Sequence, residues 1–301
     1  MDEWVSEATM LGGDITITGA AGDLRFGRLG YGGMQLTGPG IWGMPDDVDA
    51  AVALLRRAVE LGVTFIDTAD SYGPHTNEEL IRRALHPYDS VVVATKGGLT
   101  RTGPNRWHAL GRPEYLRQCV ELSLRRLGME QIPLYQLHRV DPAVPLADQV
   151  GELAALQAEG KIAHIGLSEV DVATLEAAQA IAPIVSVQNR YNIFSTGSAP
   201  VLQFCEQHNI AFIPWFPLKN RDLAAQTGED AERFAVVDAV AAAHGASVAQ
   251  VALAWLLQKS PVMVPIPGTK SLAHLEENLA AADLALTADD MAALDALGRA
   301  D

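Results

Sequence analysis

Short, continuously apolar runs that each end abruptly in a polar or ionisable side chain recur along this chain, and few folds accommodate such a pattern. The clearest is Gly62-Val63-Thr64-Phe65-Ile66-Asp67-Thr68-Ala69-Asp70-Ser71-Tyr72-Gly73, where a β-branched and aromatic strand breaks into turn chemistry. Two more units follow: Val91-Val92-Val93-Ala94-Thr95-Lys96-Gly97-Gly98, and Pro133-Leu134-Tyr135-Gln136-Leu137-His138. Strands that are apolar throughout, rather than alternating, are buried on both faces, as in parallel sheets covered by helices. Parallel strands point one way, so Asp67, Lys96 and His138 are expected on one rim, with Tyr72 on the loop above it. A carboxylate at the edge of a core is costly unless a cation or donor meets it, and Lys96 is the expected partner of Asp67.

The same alternation extends along the chain. Arg28-Leu29-Gly30-Tyr31-Gly32-Gly33-Met34 reads as a first strand whose glycines would allow a flat ligand close to the backbone or simply form a turn. Asp46-Asp47-Val48-Asp49 caps a helix to Glu60, with Ala50, Leu54, Ala58 and Leu61 as its apolar positions. Helices are expected over 77–85, 113–127, 146–159, 171–181 and 199–207, with strands at 164–168, 184–189, 211–216 and 263–269. Eight strand–helix units in 301 residues describe a single (β/α)8 TIM barrel over residues 1–301, which places its site at the C-terminal strand ends. Ile15-Thr16-Ile17 and Leu24-Arg25-Phe26 predict a short N-terminal hairpin or lid. Between Trp215 and Ile266 there is room for a loop near 219–228 and two extra helices, 230–243 and 247–258, and further helix is expected at the C-terminus.

Composition narrows the partners. A formal net charge of −15 disfavours nucleic acid and anionic membranes, so a small molecule is the expected substrate. The N-terminus lacks the basic and apolar regions of a signal peptide, which predicts a cytoplasmic protein. The apolar stretch from Phe234 to Leu257 is interrupted by Asp238, His244 and Gly245 and reads as two helices. Cys119 and Cys205 are isolated, so core positions are expected and no metal site. A monomer or small homo-oligomer is expected. Gly268-Thr269-Lys270-Ser271, after the last strand, offers backbone approach, two hydroxyls and a charge, and suits either a phosphate site or an ordinary capped helix start.

The stretch 62–73, with the strand ends at Lys96 and His138, resembles the aldo-keto reductase superfamily from about Leu24 to Leu297. The resemblance implies a barrel that binds a nicotinamide cofactor, NADPH more than NADH, without a separate dinucleotide domain, and a catalytic tetrad of Asp67, Tyr72, Lys96 and His138. Tyr72 would give the proton to a developing alkoxide. A free phenol titrates at about 10, and Lys96 beside it is expected to lower that value while Asp67 holds the lysine. His138 would hydrogen-bond the substrate oxygen. Gly33 and Met34 on the first strand, together with Asp67, would adjoin the cofactor. Ser168, Gln188 and Asn189 resemble contacts to the nicotinamide carboxamide, and Trp215 an aromatic stacked on the ring. Leu218 and Gly268 resemble pyrophosphate contacts, Thr269, Lys270 and Ser271 the 2′-phosphate site, and Glu277 and Asn278 the adenine side.

Two positions depart from the pattern. Glu169 stands where many relatives have asparagine, and His274 where an arginine commonly meets the 2′-phosphate, which weakens the preference for NADPH. The sequences around Lys96, His138, Gln188 and Trp215 are similar to a bacterial branch that includes pyridoxal reductases, with Tyr31, Trp42 and Trp107 as an expected aromatic wall. A broad aldehyde or ketone reductase, an NADPH-binding regulatory subunit with little turnover, and a Schiff-base aldolase using Lys96 are the alternatives.

Overall fold

The computed structural model describes residues 10–218 and 229–299. Its centre is a parallel sheet of seven strands whose order across the sheet follows their order in the chain. These are β3 (Tyr31–Gly32), β4 (Phe65–Asp67), β5 (Val92–Gly97), β8 (Ile132–Leu137), β9 (Ile162–Ser168), β10 (Ile184–Gln188) and β11 (Ala211–Phe212). Each is almost entirely buried, which is why each reads as a continuous apolar run.

The eighth unit closes the ring without forming a regular strand. Phe212 and the segment 262–264 exchange backbone hydrogen bonds of 2.8 Å, while Gly30 and Gly32 donate to the carbonyls of Pro265 and Pro267. The expected strand at 263–269 is therefore corrected: two prolines lack the N–H a ladder needs, so this segment mostly accepts. Gly32 and Gly268 serve that closure. A Cβ on Gly32 would lie 2.6 Å from the Ile266 carbonyl oxygen, and one on Gly268 would lie 2.6 Å from the Gly32 oxygen. The result is a (β/α)8 barrel.

Helices cover the outside. α1 (Val48–Glu60) is capped by the Asp47 carboxylate, which accepts from the Ala50 N–H at 2.8 Å. Its buried residues are Ala51, Val52, Leu54, Leu55 and Ala58, so Leu54 and Ala58 lie on the buried face as expected, whereas Ala50 is exposed. α2 (Thr76–Leu85), α3 (Pro113–Leu127), α4 (Leu146–Ala158), α5 (Val172–Gln179) and α6 (Ala199–His208) follow the expected ranges within two residues. Pro113 opens α3, and Gly128, at φ 71, ends it in the left-handed conformation. α7 (Glu229–His244) and α8 (Val248–Lys259) meet at 91°. Among the described residues no single helix is long and apolar enough to cross a membrane. α9 (Leu272–Leu279) and α10 (Ala288–Asp295) complete the chain, and the predicted loop 219–228 lies outside the described residues.

The N-terminal hairpin, β1 (Asp14–Gly19) and β2 (Gly22–Gly27), forms as expected but is no lid. Ile15, Ile17 and Phe26 are buried, and Phe26 stacks on Phe65 of the barrel at 4.4 Å. An added Cβ on Gly19 would meet His164 and Val185, near the start of β9 and β10, so the hairpin plugs the end opposite the strand C-termini. A second hairpin, β6 (Leu99–Gly103) and β7 (Arg106–Ala109), rises directly from the C-terminal end of β5.

Candidate active site

Asp67 ends β4, Lys96 lies in β5, and His138 follows β8. Lys96 is wholly buried and donates from Nζ to Asp67 Oδ2 at 2.6 Å, the Thr68 carbonyl at 2.8 Å and the Tyr72 hydroxyl at 3.5 Å. Asp67 Oδ1 accepts from Gln188 at 2.9 Å and from Gln136 at 3.2 Å. Both carboxylate oxygens are thus engaged, the condition under which a buried charge is tolerated. Tyr72 is carried over the rim by the loop between β4 and α2, and its ring lies edge-on to His138 at 5.8 Å. The four expected residues are brought together.

Their protonation states follow from burial. Burial raises the Tyr72 pKa above 10.0 and outweighs the lowering effect of the Lys96 charge. The expectation of a lowered phenol is corrected: the ammonium acts in the predicted direction, but desolvation is larger. Burial alone opposes a charged Lys96, yet Asp67 and Tyr72 reverse that and leave its pKa raised. His138 is held well below 6.5 by burial and by the charges of Lys96, Arg139 and Arg101. It is neutral, with Nδ1 3.2 Å from the Ser71 hydroxyl. When Ser71 donates to Nδ1, the imidazole proton sits on Nε2.

A cleft of about 860 Å³ opens above these groups. Asp67, Tyr72, His138 and Gln188 line its floor, with Met34, Trp107 and Arg139 beside them. It then runs past Trp215 and Leu218 to Gly268, Thr269, His274, Glu277 and Asn278 at the start of α9. That long polar-ended groove, with backbone N–H groups and a hydroxyl where a helix begins, fits an extended dinucleotide.

Other expected contacts are placed differently. Asn189 is removed from the site: its side chain is tied to both backbone groups of Val170 and to Ser198. The Ser168 hydroxyl accepts from Arg139 at 2.9 Å, and Ser168 and Gly33 do not line the open cleft. Ser271 caps α9, and Lys270 is exposed beside the cleft rather than in its wall. Tyr31 is buried behind the wall, its hydroxyl donating to the Thr269 carbonyl at 2.5 Å. Trp42 is partly exposed, whereas Trp107 faces the cleft edge-on to Tyr72 at 6.3 Å.

Glu169 has a physical explanation here. Its φ is 57°, a left-handed conformation that asparagine tolerates better than glutamate. Its Oε1 accepts from the Trp215 indole and, at 2.8 Å, from the Arg190 N–H. Glu169 therefore anchors the aromatic ring expected under the cofactor.

Sequence reasoning missed Ser71, Gln136, Arg101 and Arg139. The signals were adjacency to Tyr72 for Ser71 and to His138 for Arg139. Arg101 had none, because its role depends on distant loops. It lies 3.5 Å over the Trp107 ring and donates to the carbonyls of Ile41 and Ser71 at 2.8 Å and Gly40 at 2.9 Å. It thereby joins the β6–β7 hairpin, the loop bearing Tyr72 and the cleft-lining Ile41.

Comparison with known proteins agrees with this geometry. The pattern of the Aldo/keto reductase family matches residues 28–299. An uncharacterized oxidoreductase of Schizosaccharomyces pombe is 50% identical, the match covering 93% of this chain and 89% of that one. Pyridoxine 4-dehydrogenase of Escherichia coli is 41% identical, over 90% of this chain and 95% of its own. A crystal structure of an aldo-keto reductase from Klebsiella pneumoniae in complex with NADPH superposes with a TM-score of 0.77 at 27% identity, covering 94% of this chain and 95% of that one. The barrel, the cleft at its C-terminal rim and these matches together establish that this chain belongs to the aldo/keto reductase family, oxidoreductases whose cofactor is NADP(H).

Proposed function

We propose that this protein reduces an aldehyde or ketone to an alcohol with NADPH, and that its substrate is pyridoxal, giving pyridoxine. The supporting observation is the buried chain Asp67–Lys96–Tyr72 beside a neutral His138 at the floor of the cleft. NADPH, when bound, supplies the hydride to the carbonyl carbon. Gly268, Thr269, His274, Glu277 and Asn278 would hold its adenosine and phosphate end, with Lys270 and Ser271 reaching the 2′-phosphate from outside the wall. Leu218, Met34, Trp215 and Gln188 would hold the rest, with Gly33 behind Met34 and Ser168 outside the open cleft, its hydroxyl engaged by Arg139.

The chain's own residues supply the proton and the charge control. Tyr72, protonated near neutrality, gives its proton to the carbonyl oxygen as that oxygen becomes an alkoxide. The phenolate left behind is stabilised by Lys96, whose position is fixed by Asp67, and is reprotonated from solvent. Neutral His138 donates through Nε2 to the same oxygen and orients the carbonyl toward the hydride donor. The balance is RCHO + NADPH + H⁺ → RCH₂OH + NADP⁺. The similarity to pyridoxine 4-dehydrogenase and the edge of Trp107 in the cleft wall support a pyridine aldehyde.

The test is steady-state oxidation of NADPH, followed by its absorbance, with pyridoxal and benzaldehyde side by side and then with NADH. Pyridoxal turnover well above benzaldehyde is the expected result, and equal slow rates would make the protein a generalist. Tyr72→Phe should retain NADPH binding while turnover falls by about two to four orders of magnitude. Wild-type rates in that variant would remove Tyr72 as proton donor.

A further inference from the structure

Two arginines sit near the substrate end of the cleft, Arg139 in its lining and Arg101 stacked on Trp107, and their hydrogen bonds set them apart. Arg101 directs its guanidinium to backbone carbonyls from Nε, Nη1 and Nη2 and lies over Trp107, so it is committed to holding loops. Arg139, which follows His138, uses Nη1 alone: it donates to the His138 carbonyl at 2.6 Å and to Ser168 Oγ at 2.9 Å. Among the described residues its Nη2 and Nε meet no hydrogen-bond acceptor, and no carboxylate forms an ion pair with it. Glu169 acts on it only through space, its Oε1 already held by Trp215 and the Arg190 N–H. Half-buried and lining the cleft, Arg139 is a cation that Glu169 offsets only through space and that has two donor nitrogens unmet among the described residues, an arrangement that a ligand anion relieves.

The position of this cation defines the ligand. Arg139 is bonded to the backbone of His138, and its charge is felt by both His138 and Tyr72. An anionic group on the substrate that meets it must lie close to the carbonyl held by those two residues. A guanidinium with two free donor nitrogens on one edge suits a carboxylate or phenolate oxygen. The protein as a whole carries −15 and repels anions, so any preference for an anionic substrate must come from a local cation such as this one.

We propose that Arg139 is a specificity-determining residue that selects carbonyl substrates bearing an anionic oxygen next to the carbonyl, a phenolate or a carboxylate on the adjacent ring atom. This inference rests on the carbonyl-reductase reading above and deepens it, since a 3-hydroxypyridine-4-aldehyde has such an oxygen.

The experiment compares kcat/KM for 2-carboxybenzaldehyde, 4-carboxybenzaldehyde, pyridoxal and benzaldehyde in the wild type, Arg139→Lys and Arg139→Gln. The wild type should favour the 2-carboxy compound and pyridoxal over benzaldehyde by about tenfold or more, and the 4-carboxy compound much less. Arg139→Gln should bring those ratios close to one by lowering kcat/KM for the anionic aldehydes by about tenfold more than for benzaldehyde, with the NADPH dissociation constant read alongside, and Arg139→Lys should keep part of the preference. A wild-type ratio near one, an equal loss on charged and neutral aldehydes, or weakened NADPH binding in Arg139→Gln would overturn the assignment. Benzoate binding to the NADP⁺-loaded protein, by titration calorimetry, reads the same site without turnover. Turnover of none of the aldehydes would defeat the reductase reading alone. Benzoate affinity that falls about tenfold in Arg139→Gln would still support the anion site, and unchanged affinity would overturn it.

Discussion

Lys96 Nζ lies 2.6 Å from Asp67 Oδ2 with both side chains shut off from solvent, and Asp67 accepts on its other oxygen from two glutamines. A buried pair of this kind costs most when one partner is removed, because the other charge is left uncompensated. Lys96→Met and Asp67→Asn should each lose about 3–5 kcal/mol of stability or less where the glutamines compensate. The double variant should lose distinctly less than the sum. Urea unfolding of the three variants measures the coupling, and strict additivity would show that the pair does not act as a unit.

Tyr72 titrates above 10.0 and His138 well below 6.5, so neither changes charge between those values. The rate of reduction of a neutral aldehyde at saturating NADPH should therefore be flat across that interval. It should fall only where Tyr72 loses its proton on the alkaline side. A pH–rate profile with a limb near neutrality would assign the proton transfer to another group.

Asp70 sits in the loop that carries Tyr72, buried, with Oδ1 unpartnered. Burial, followed by the charge of Glu78, pushes its pKa from 3.8 to about 7. The folded state thus keeps a proton that the unfolded chain releases. The stabilisation from that group is complete below 3.8, declines as pH rises, and is gone above about 7. Asp70→Asn should consequently raise the melting temperature at about pH 8 by several degrees relative to wild type, and much less at about pH 5. Equal shifts at the two pH values would mean that Asp70 is already ionised in the fold.

Glu169 holds the Trp215 indole while its own backbone is in the left-handed region. Glu169→Ala should free Trp215 and weaken NADPH binding by about tenfold, the scale of one lost charge-assisted hydrogen bond. Glu169→Gln, which keeps an oxygen acceptor, should fall between the two. Quenching of tryptophan fluorescence by NADPH gives the dissociation constants, and unchanged affinity in Glu169→Ala would separate Trp215 orientation from cofactor binding.

The sequence by itself determined the barrel and the company of Asp67, Tyr72, Lys96 and His138. Strands buried on both faces must be apolar throughout, so a charge marks a strand's end, and parallel strands collect their ends on one rim. The order of the helices was legible for the same reason, with Asp47, Pro113 and Gly128 marking where chains of backbone hydrogen bonds start or stop. Only the tertiary structure decided what each rim side chain touches. Asn189 and Gln188 are neighbours, yet one holds the Val170 backbone and the other holds Asp67 across the barrel. Pro265 and Pro267 left the closing segment irregular, and the first hairpin plugs the far mouth because its apolar face completes the core below Phe65. The protonation of Tyr72 was decided there too, since the depth of burial that raises its pKa and the distance to Lys96 that lowers it are properties of folded space. Arg101 and Arg139 look alike as letters, and the acceptors around them, brought together from distant parts of the chain, make one a fastener of loops and leave the other facing the cleft.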